Sequence, residues 1–214
     1  MQLILIRHGE STWNDAGRIQ GWTDSPLTER GRRQSEKLAK HLAHLPIAAL
    51  YTSSLKRALE TARIIAHTLN LPLTVDERLR EYGLGELEGL TIEEVKERYP
   101  AIYRGWQETT RWIPLPGEEG RAVFAQRVRA AMADIVKGHP DGTVAVITHG
   151  GAIGVFLAGL LGLDLGERLP FWFDNASLSI VELDGHRTRI RALNDTCHLK
   201  EKGFDSEVEE EPNP

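Results

Sequence analysis

Two histidines in this sequence directly follow aliphatic runs of strand length. Arg7 and His8 come after the apolar residues 3–6, and His149 comes after Thr143–Thr148. Short, unbroken and partly β-branched runs are typical of strands that are covered on both faces in a parallel sheet. Ligands of such sheets gather beyond the carboxyl ends of the strands, so we expect both imidazoles and the Arg7 guanidinium to converge there.

These side-chain types suit phosphoryl transfer. A neutral imidazole can attack phosphorus and form a phosphohistidine, provided that its other ring nitrogen carries the proton. The transferred group spreads negative charge over its oxygens, and a guanidinium binds such oxygens through paired N–H donors. Arg7 and Arg57 are the candidates, and Arg57 also falls in the first turn of a predicted helix, where the dipole favours an anion.

A leaving alkoxide also needs a proton. Glu81 is the best candidate, because it follows an apparent strand and precedes a glycine-interrupted stretch that would cover a pocket. The same carboxylate would then deprotonate water in the second half of the reaction. Glu86, Glu88 and Glu93 lie nearby in the sequence and stay open as alternatives.

Strands alternate with helices along most of the chain. The apolar pattern predicts strands at residues 3–6, 48–51, 73–75 and 143–148, and helices that begin near Thr28, after Ser54, and at about 118–136 and 152–161. Two further strands, at 178–183 and 188–193, flank the turn signal Asp184-Gly185 and predict a hairpin. The predicted fold is three-layer α/β/α, with a mostly parallel central sheet and a small helical lid insertion.

The pattern predicts a single domain over residues 1–202, with the lid insertion at about 82–117. In the lid, TIEEVKERYP predicts a short capped helix that Pro100 terminates. Tyr103, Trp106 and Trp112 would either line an apolar pocket or pack the lid together. Residues 203–214 are acidic and poor in apolar side chains, which predicts a disordered tail.

The composition excludes several classes of protein. A net charge of −5 and a pI near 5.9 argue against nucleic acid binding. The lone Cys197 cannot form an internal disulfide, and no apolar stretch approaches the roughly 20 residues that span a bilayer, so we expect a cytoplasmic protein. The PFWFDN segment around residues 171–173 predicts either a homodimer surface or part of the core.

Five segments appear in the order in which they occur in a known family and cover most of the chain: RHGESTWN, IQGWTDSPLTERG, YTSSLKRALETA, LREYGLGELEGL and VITHGG. The chain thereby resembles the histidine phosphatase superfamily, typified by cofactor-dependent phosphoglycerate mutase. The resemblance implies that His8 is the phosphorylated nucleophile, that Glu81 is the proton donor, and that the phosphoryl group is held by Arg7, Arg57, His149, Asn14 and the Gly150 backbone. Gln20, Gly21 and His198 are expected as further substrate contacts, with no metal or other cofactor.

Within that family the chain resembles the phosphatases more than the mutases. Mutases carry a longer insertion after the acid glutamate, with basic residues, whereas EYGLGELEGLTIEEVKERYP is short and acidic. We therefore expect a phosphomonoester hydrolase for a small phosphorylated metabolite, with 2,3-bisphosphoglycerate-dependent phosphoglycerate mutase as the alternative and a non-enzymatic phospholigand-binding module as the remote one.

The substrate stays open at the level of the sequence. The segment FDNASLSIVELDGHRTRIRALNDTCHL is similar to the end of the metal-independent phosphoserine phosphatases, but YGLGELEG lacks the histidine with which those enzymes contact their substrate. The chain also resembles α-ribazole phosphatases and broad-specificity phosphatases. It departs from many relatives at PGEEG, where GGES is common.

Overall fold

A computed structural model describes residues 1–185 and 187–200. Within these residues the strands form one six-stranded sheet in the order β3-β2-β4-β1-β5-β6. The strands are β1 (Gln2–Arg7), β2 (Ile47–Thr52), β3 (Leu73–Val75), β4 (Thr143–Thr148), β5 (Leu178–Leu183) and β6 (Thr188–Asp195). The pairs among β3, β2, β4 and β1 are parallel, and β5 and β6 add an antiparallel hairpin. The predicted mostly parallel sheet is confirmed.

Helices connect the strands. They are α1 (Thr12–Asp15), α2 (Glu29–Leu42), α3 (Lys56–Leu69), α4 (Ile92–Arg98), α5 (Pro100–Glu108), α6 (Arg121–Gly138) and α7 (Gly150–Leu161). Thr28 caps α2 as predicted, because its hydroxyl accepts the Gly31 N–H. Helix α6 begins later than predicted, because Gly120 has a φ of 88°, which is incompatible with a right-handed helix.

The two faces of the sheet each carry a separate apolar cluster. Leu3 and Leu5 of β1 pack with residues of α6 and α7. Ile4 and Ile6, which alternate with them, pack with residues of α2 and α3 on the other face. Helices therefore cover both faces, and the predicted three-layer arrangement is confirmed.

The region of the predicted lid contains α4 and α5. Thr91 and Glu94 form a reciprocal capping box at the start of α4. The prediction of a short capped helix ended by Pro100 is confirmed: α4 ends at Arg98, with Tyr99 as its C-cap. Pro100 then starts α5, where a proline loses no helical hydrogen bond.

The aromatic residues of this region pack it together. Tyr103, Trp106 and Trp112 contact a small apolar cluster of their own, formed by Leu87, Leu90, Val95 and Leu115. The bounds of the lid stay a prediction, and the predicted tail at residues 203–214 lies outside the described residues. In the PFWFDN segment, Phe173 belongs to the core, whereas Trp172 is 74% exposed.

No helix in the described part of the chain is both long enough and apolar enough to traverse a bilayer.

The loop after β1 is held tightly against α2 and α3. The Gly9 N–H donates to Thr61 Oγ1 at 3.0 Å, and the Thr28 N–H donates to the Glu10 carbonyl at 2.9 Å. Gly31 of α2 lies so close to this loop that a Cβ on it would be 2.0 Å from the Glu10 carbonyl oxygen. Only a glycine permits this approach of a helix to the backbone that follows His8.

We predict that Gly31→Ala lowers the free energy of unfolding by about 1–3 kcal/mol, because the added methyl group must push α2 away from the Glu10 backbone. Urea unfolding followed by circular dichroism measures this. Gly138→Ala is the matched control, since a Cβ there meets nothing within 4 Å, and it should leave stability unchanged or raise it slightly. Equal stability of the two variants would contradict the tight contact.

Candidate active site

The carboxyl ends of β1 and β4 bring two histidines together. The His8 N–H donates to the Thr148 carbonyl at 3.0 Å, and the ring centroids of His8 and His149 lie 5.2 Å apart. Only 3% of His8 and none of His149 is exposed. The structure thus places both imidazoles, predicted from strand ends far apart in the sequence, in one buried site.

A single hydrogen bond sets the tautomer of His8. Its Nδ1 lies 2.7 Å from the Gly9 carbonyl oxygen. A carbonyl can only accept, so Nδ1 carries the proton and Nε2 keeps its lone pair. Burial, with the charges of Arg57 and Arg7, holds the pKa of His8 well below its ordinary value, and the ring is therefore neutral near pH 7.

Ser53 orients the second histidine. Its Oγ lies 2.8 Å from His149 Nε2 and accepts the Leu55 N–H at 3.2 Å. His149 Nδ1 is buried and has no hydrogen-bond partner among the described residues. Burial, followed by the charge of Arg57, holds the pKa of His149 well below its ordinary value.

Arg57 is held by the carbonyls of the loop before α2. Its Nη2 donates to Gly21 O at 2.7 Å and its Nη1 donates to Thr23 O at 3.0 Å, while its Nε is buried without a partner among the described residues. Arg57 is 1% exposed, and burial lowers its pKa to about 10, so it remains a cation at neutral pH. Its unpaired donor suits an oxyanion.

Arg7 approaches the site from the end of β1. Its Nη1 donates to the Phe173 carbonyl, and its side chain passes within 4 Å of where a Cβ on Gly150 would lie. Burial lowers the pKa of Arg7, an effect that the charges of Glu81 and Asp174 oppose. Arg7 thus lies beside the N-terminus of α7, which itself favours an anion, and its charge acts on Arg57.

Glu81 lies beside these arginines. Its Oε2 accepts the Gly151 N–H at 3.0 Å, its Oε1 accepts the Tyr82 N–H at 2.8 Å, and its charge acts on both Arg7 and Arg57. The alternatives lie elsewhere. Glu86 accepts the Tyr99 hydroxyl, Glu88 accepts the Thr23 N–H and hydroxyl, and Glu93 is exposed on α4.

The other residues predicted to contact the substrate are Asn14, Gly21, Gln20 and Gly150. Asn14 Oδ1 accepts from Asn175 Nδ2, which also donates to the His8 carbonyl, and Gly21 binds Arg57 through its carbonyl. Gln20 Oε1 accepts from the Ser11 and Ser25 hydroxyls, and its role as a substrate contact stays a prediction. Gly150, the first residue of α7, follows His149 directly.

His198 is not brought into this group. Its Nε2 lies 3.0 Å from the Ala176 carbonyl oxygen, and its ring stacks on His41 of α2 with centroids 5.5 Å apart. Neither partner is a predicted phosphoryl contact. Burial lowers the pKa of His198, and its role as a substrate contact stays a prediction.

Sequence reasoning missed Ser53. The signal was present, because Ser53 and Ser54 follow β2 as His149 and Gly150 follow β4, and these strands are neighbours in the sheet. Their carboxyl ends must therefore meet. Among residues 1–185 and 187–200, no group of three or more His, Cys, Asp or Glu side chains is arranged to hold a metal ion.

Comparison with known proteins bears on this site. Residues 3–196 match the family profile described as histidine phosphatase superfamily (branch 1). The chain is 38% identical to "Phosphoserine phosphatase 1" of Hydrogenobacter thermophilus, over 94% of this chain and 95% of that protein. It is 32% identical to "Probable phosphoglycerate mutase GpmB" of Yersinia pestis, over 96% and 98%.

A solved structure has the same fold. The Bacillus stearothermophilus protein YhfR superposes with a TM-score of 0.84 at 36% identity, over 93% of this chain and 99% of that one.

The buried neutral histidines predict a pH dependence of stability. Below its ordinary pKa of 6.5 an unfolded histidine binds a proton that folded His8 and His149 exclude. The free energy of unfolding should therefore fall as the pH falls below 6.5, with a slope that approaches about 1.4 kcal/mol per pH unit for each histidine. Urea titrations in phosphate-free buffers between about pH 5 and 7.5 measure it.

The double variant His8→Asn/His149→Asn should have a clearly smaller slope. The exposed pair His44→Asn/His67→Asn is the matched control and should retain the slope of the unchanged protein. An equal slope in all three proteins would show that the buried imidazoles are protonated in the folded state.

Proposed function

The chain belongs to branch 1 of the histidine phosphatase superfamily, and we propose that it hydrolyses a small phosphorylated metabolite through a phosphohistidine on His8. One observation carries the proposal. The His8 Nδ1 proton is bound to the Gly9 carbonyl, so an unprotonated Nε2 lies in a buried site with two guanidinium groups.

In the first step, the lone pair of His8 Nε2 attacks phosphorus and the bond to the leaving oxygen breaks. Arg57 and Arg7 hold the equatorial oxygens, with the unpartnered Nδ1 of His149 as a further donor to them. Since Ser53 Oγ already accepts the Leu55 N–H, its own proton can be donated to His149 Nε2, which leaves the proton of His149 on Nδ1. Glu81 protonates the leaving alkoxide.

In the second step, the roles of Glu81 and the solvent reverse. The Glu81 carboxylate takes a proton from a water molecule, whose oxygen attacks the phosphohistidine, and the P–N bond breaks to return neutral His8. The N–H groups of Tyr82 and Gly151, which hold its two oxygens, support this double role. No other proton carrier is needed, and phosphate leaves as the second product.

The lid favours hydrolysis over mutase activity. A mutase must bind a second anionic group of its bisphosphate, which requires free cations near the site. Lys96 and Arg98 of α4 instead lie over the rings of Tyr103 and Tyr99, and Arg121 lies over Trp112. The acidic side chains of this region are also engaged, since Glu88 binds the loop that holds Arg57.

Phosphoserine is the first substrate to test, because a relative 38% identical over nearly the full length is named for it. The histidine expected after Glu81 is absent from YGLGELEG, so the serine moiety would need another contact. α-Ribazole phosphate and phosphoglycerates complete the panel, ranked by kcat/KM.

We predict that His8→Ala loses turnover of every monoester by at least about 10³-fold, because no nucleophile remains. Acid-labile, base-stable label from a radioactive phosphate monoester should appear on the unchanged protein after a rapid alkaline quench and be absent from the variant. His44→Ala, which removes an exposed histidine, is the control and should label normally. Full activity of His8→Ala would refute the proposed nucleophile.

We also predict that free phosphate is released from 3-phosphoglycerate faster than 2-phosphoglycerate is formed, with or without 2,3-bisphosphoglycerate. The reason is that Lys96 and Arg98 of the lid lie over tyrosine rings rather than being grouped to bind the bisphosphate, so water competes for the phosphohistidine. Malachite green and coupled enolase assays measure the two rates. Isomerisation that outpaces hydrolysis would assign the chain to the mutases instead.

A further inference from the structure

Arg127 of α6 is hydrogen-bonded to the backbone that carries Glu81. Its Nη1 donates to the Arg78 carbonyl at 2.9 Å and to the Arg80 carbonyl at 2.7 Å. Its Nη2 donates to the Glu81 carbonyl at 2.7 Å. One guanidinium thus binds three carbonyls, those of residues 78, 80 and 81, in the segment that leads to and includes the predicted proton donor.

Glu119 holds Arg127 in this orientation. Its carboxylate binds the Nε and Nη2 of Arg127, with side chains that are 5% and 16% exposed. Glu119 also exchanges backbone and side-chain bonds with Gly83: its Oε2 accepts the Gly83 N–H at 3.2 Å, and its N–H donates to the Gly83 carbonyl at 3.0 Å. The pair therefore holds the chain on both sides of Glu81.

These contacts matter because the segment around Glu81 is not part of any regular secondary structure. Residues 80–84 belong to no helix or strand, so no ladder of backbone hydrogen bonds fixes them. The remaining side-chain donor to the Glu81 carbonyl is Trp22 Nε1, at 2.7 Å, from an indole that is 44% exposed. A buried, doubly anchored guanidinium is a stiffer support than an exposed ring.

We propose that Arg127, oriented by Glu119, is a positioning residue. It fixes the Glu81 backbone and thereby holds the Glu81 carboxyl group where it can transfer a proton to the leaving oxygen. The inference rests on the proposed function, in which Glu81 is the general acid. Arg127 touches neither substrate nor phosphorus. It acts through the Glu81 backbone, and the Glu119 carboxylate is its ion-pair partner.

The effect of losing Arg127 should depend on the leaving group. An alkoxide cannot depart without a proton, whereas p-nitrophenolate can. The ratio kcat/KM reports on the first step, in which the leaving group departs. A displaced proton donor therefore slows alkyl monoesters selectively. A structural defect elsewhere in the site would slow both substrates alike.

The experiment compares kcat/KM for an alkyl phosphate and for p-nitrophenyl phosphate. For Arg127→Met we expect a loss of about 30–100-fold with the alkyl phosphate and less than about threefold with p-nitrophenyl phosphate, in line with the cost of a displaced general acid. Arg129→Met, an exposed arginine of the same helix, is the matched control and should change neither value.

Glu119→Gln provides a milder variant should Arg127→Met fail to fold. It keeps one carbonyl-type acceptor for Arg127 but loses the paired carboxylate, so it should show the same selectivity with a smaller loss. Thermal unfolding of each variant verifies that folded protein is being compared.

Glu81→Gln is measured in parallel to separate the two hypotheses. If Glu81→Gln slows the alkyl phosphate selectively and the Arg127 and Glu119 variants do not, the positioning role is refuted and the proposed function stands. If Glu81→Gln itself slows both substrates equally, Glu81 is not the general acid, and the positioning role fails with it. Selective loss in all three variants supports the inference.

Discussion

The structure depends on the burial of two guanidinium groups beside two imidazoles at one edge of the sheet. Removing an ionised group from water costs several kcal/mol unless partners replace the lost hydration. Backbone carbonyls supply most of that replacement, from Gly21 and Thr23 for Arg57 and from Phe173 for Arg7. The charge is not neutralised by carbonyls, however, so the site retains a strong preference for an anion.

Burial and the nearby charges together explain why the histidines are neutral. Burial is the larger cause of the lowered pKa values of His8 and His149, and the two cations add to it, because a proton on either imidazole would place like charge beside them. A neutral imidazole is the form that can act as nucleophile. Electrostatics thus prepares both the binding of a phosphate group and the reactive state of its acceptor.

The loop that holds Arg57 is hydrogen-bonded to the lid region through Glu88. Glu88 accepts hydrogen bonds from Trp22 and Thr23 in the loop that carries the carbonyls for Arg57, and from Leu84 at the start of the lid region. Gly21 fits only because it has no side chain, as a Cβ would lie 2.1 Å from Glu88 Oε1. Glu88, which the sequence left open as a candidate acid, therefore connects two loops by hydrogen bonds.

The sequence by itself determined the strands, the helix cap at Thr28, and the positions of His8 and His149 at the ends of β1 and β4. The reason is that the spacing of apolar residues, β-branching and capping are encoded within a few neighbouring residues. Only the tertiary structure decided the partners of these groups. Ser53 meets His149 across 96 positions and Arg127 meets Glu81 across 46. Helix α5 was missed as well. Such contacts depend on the paths of loops through space, and no local pattern of residue types specifies a path.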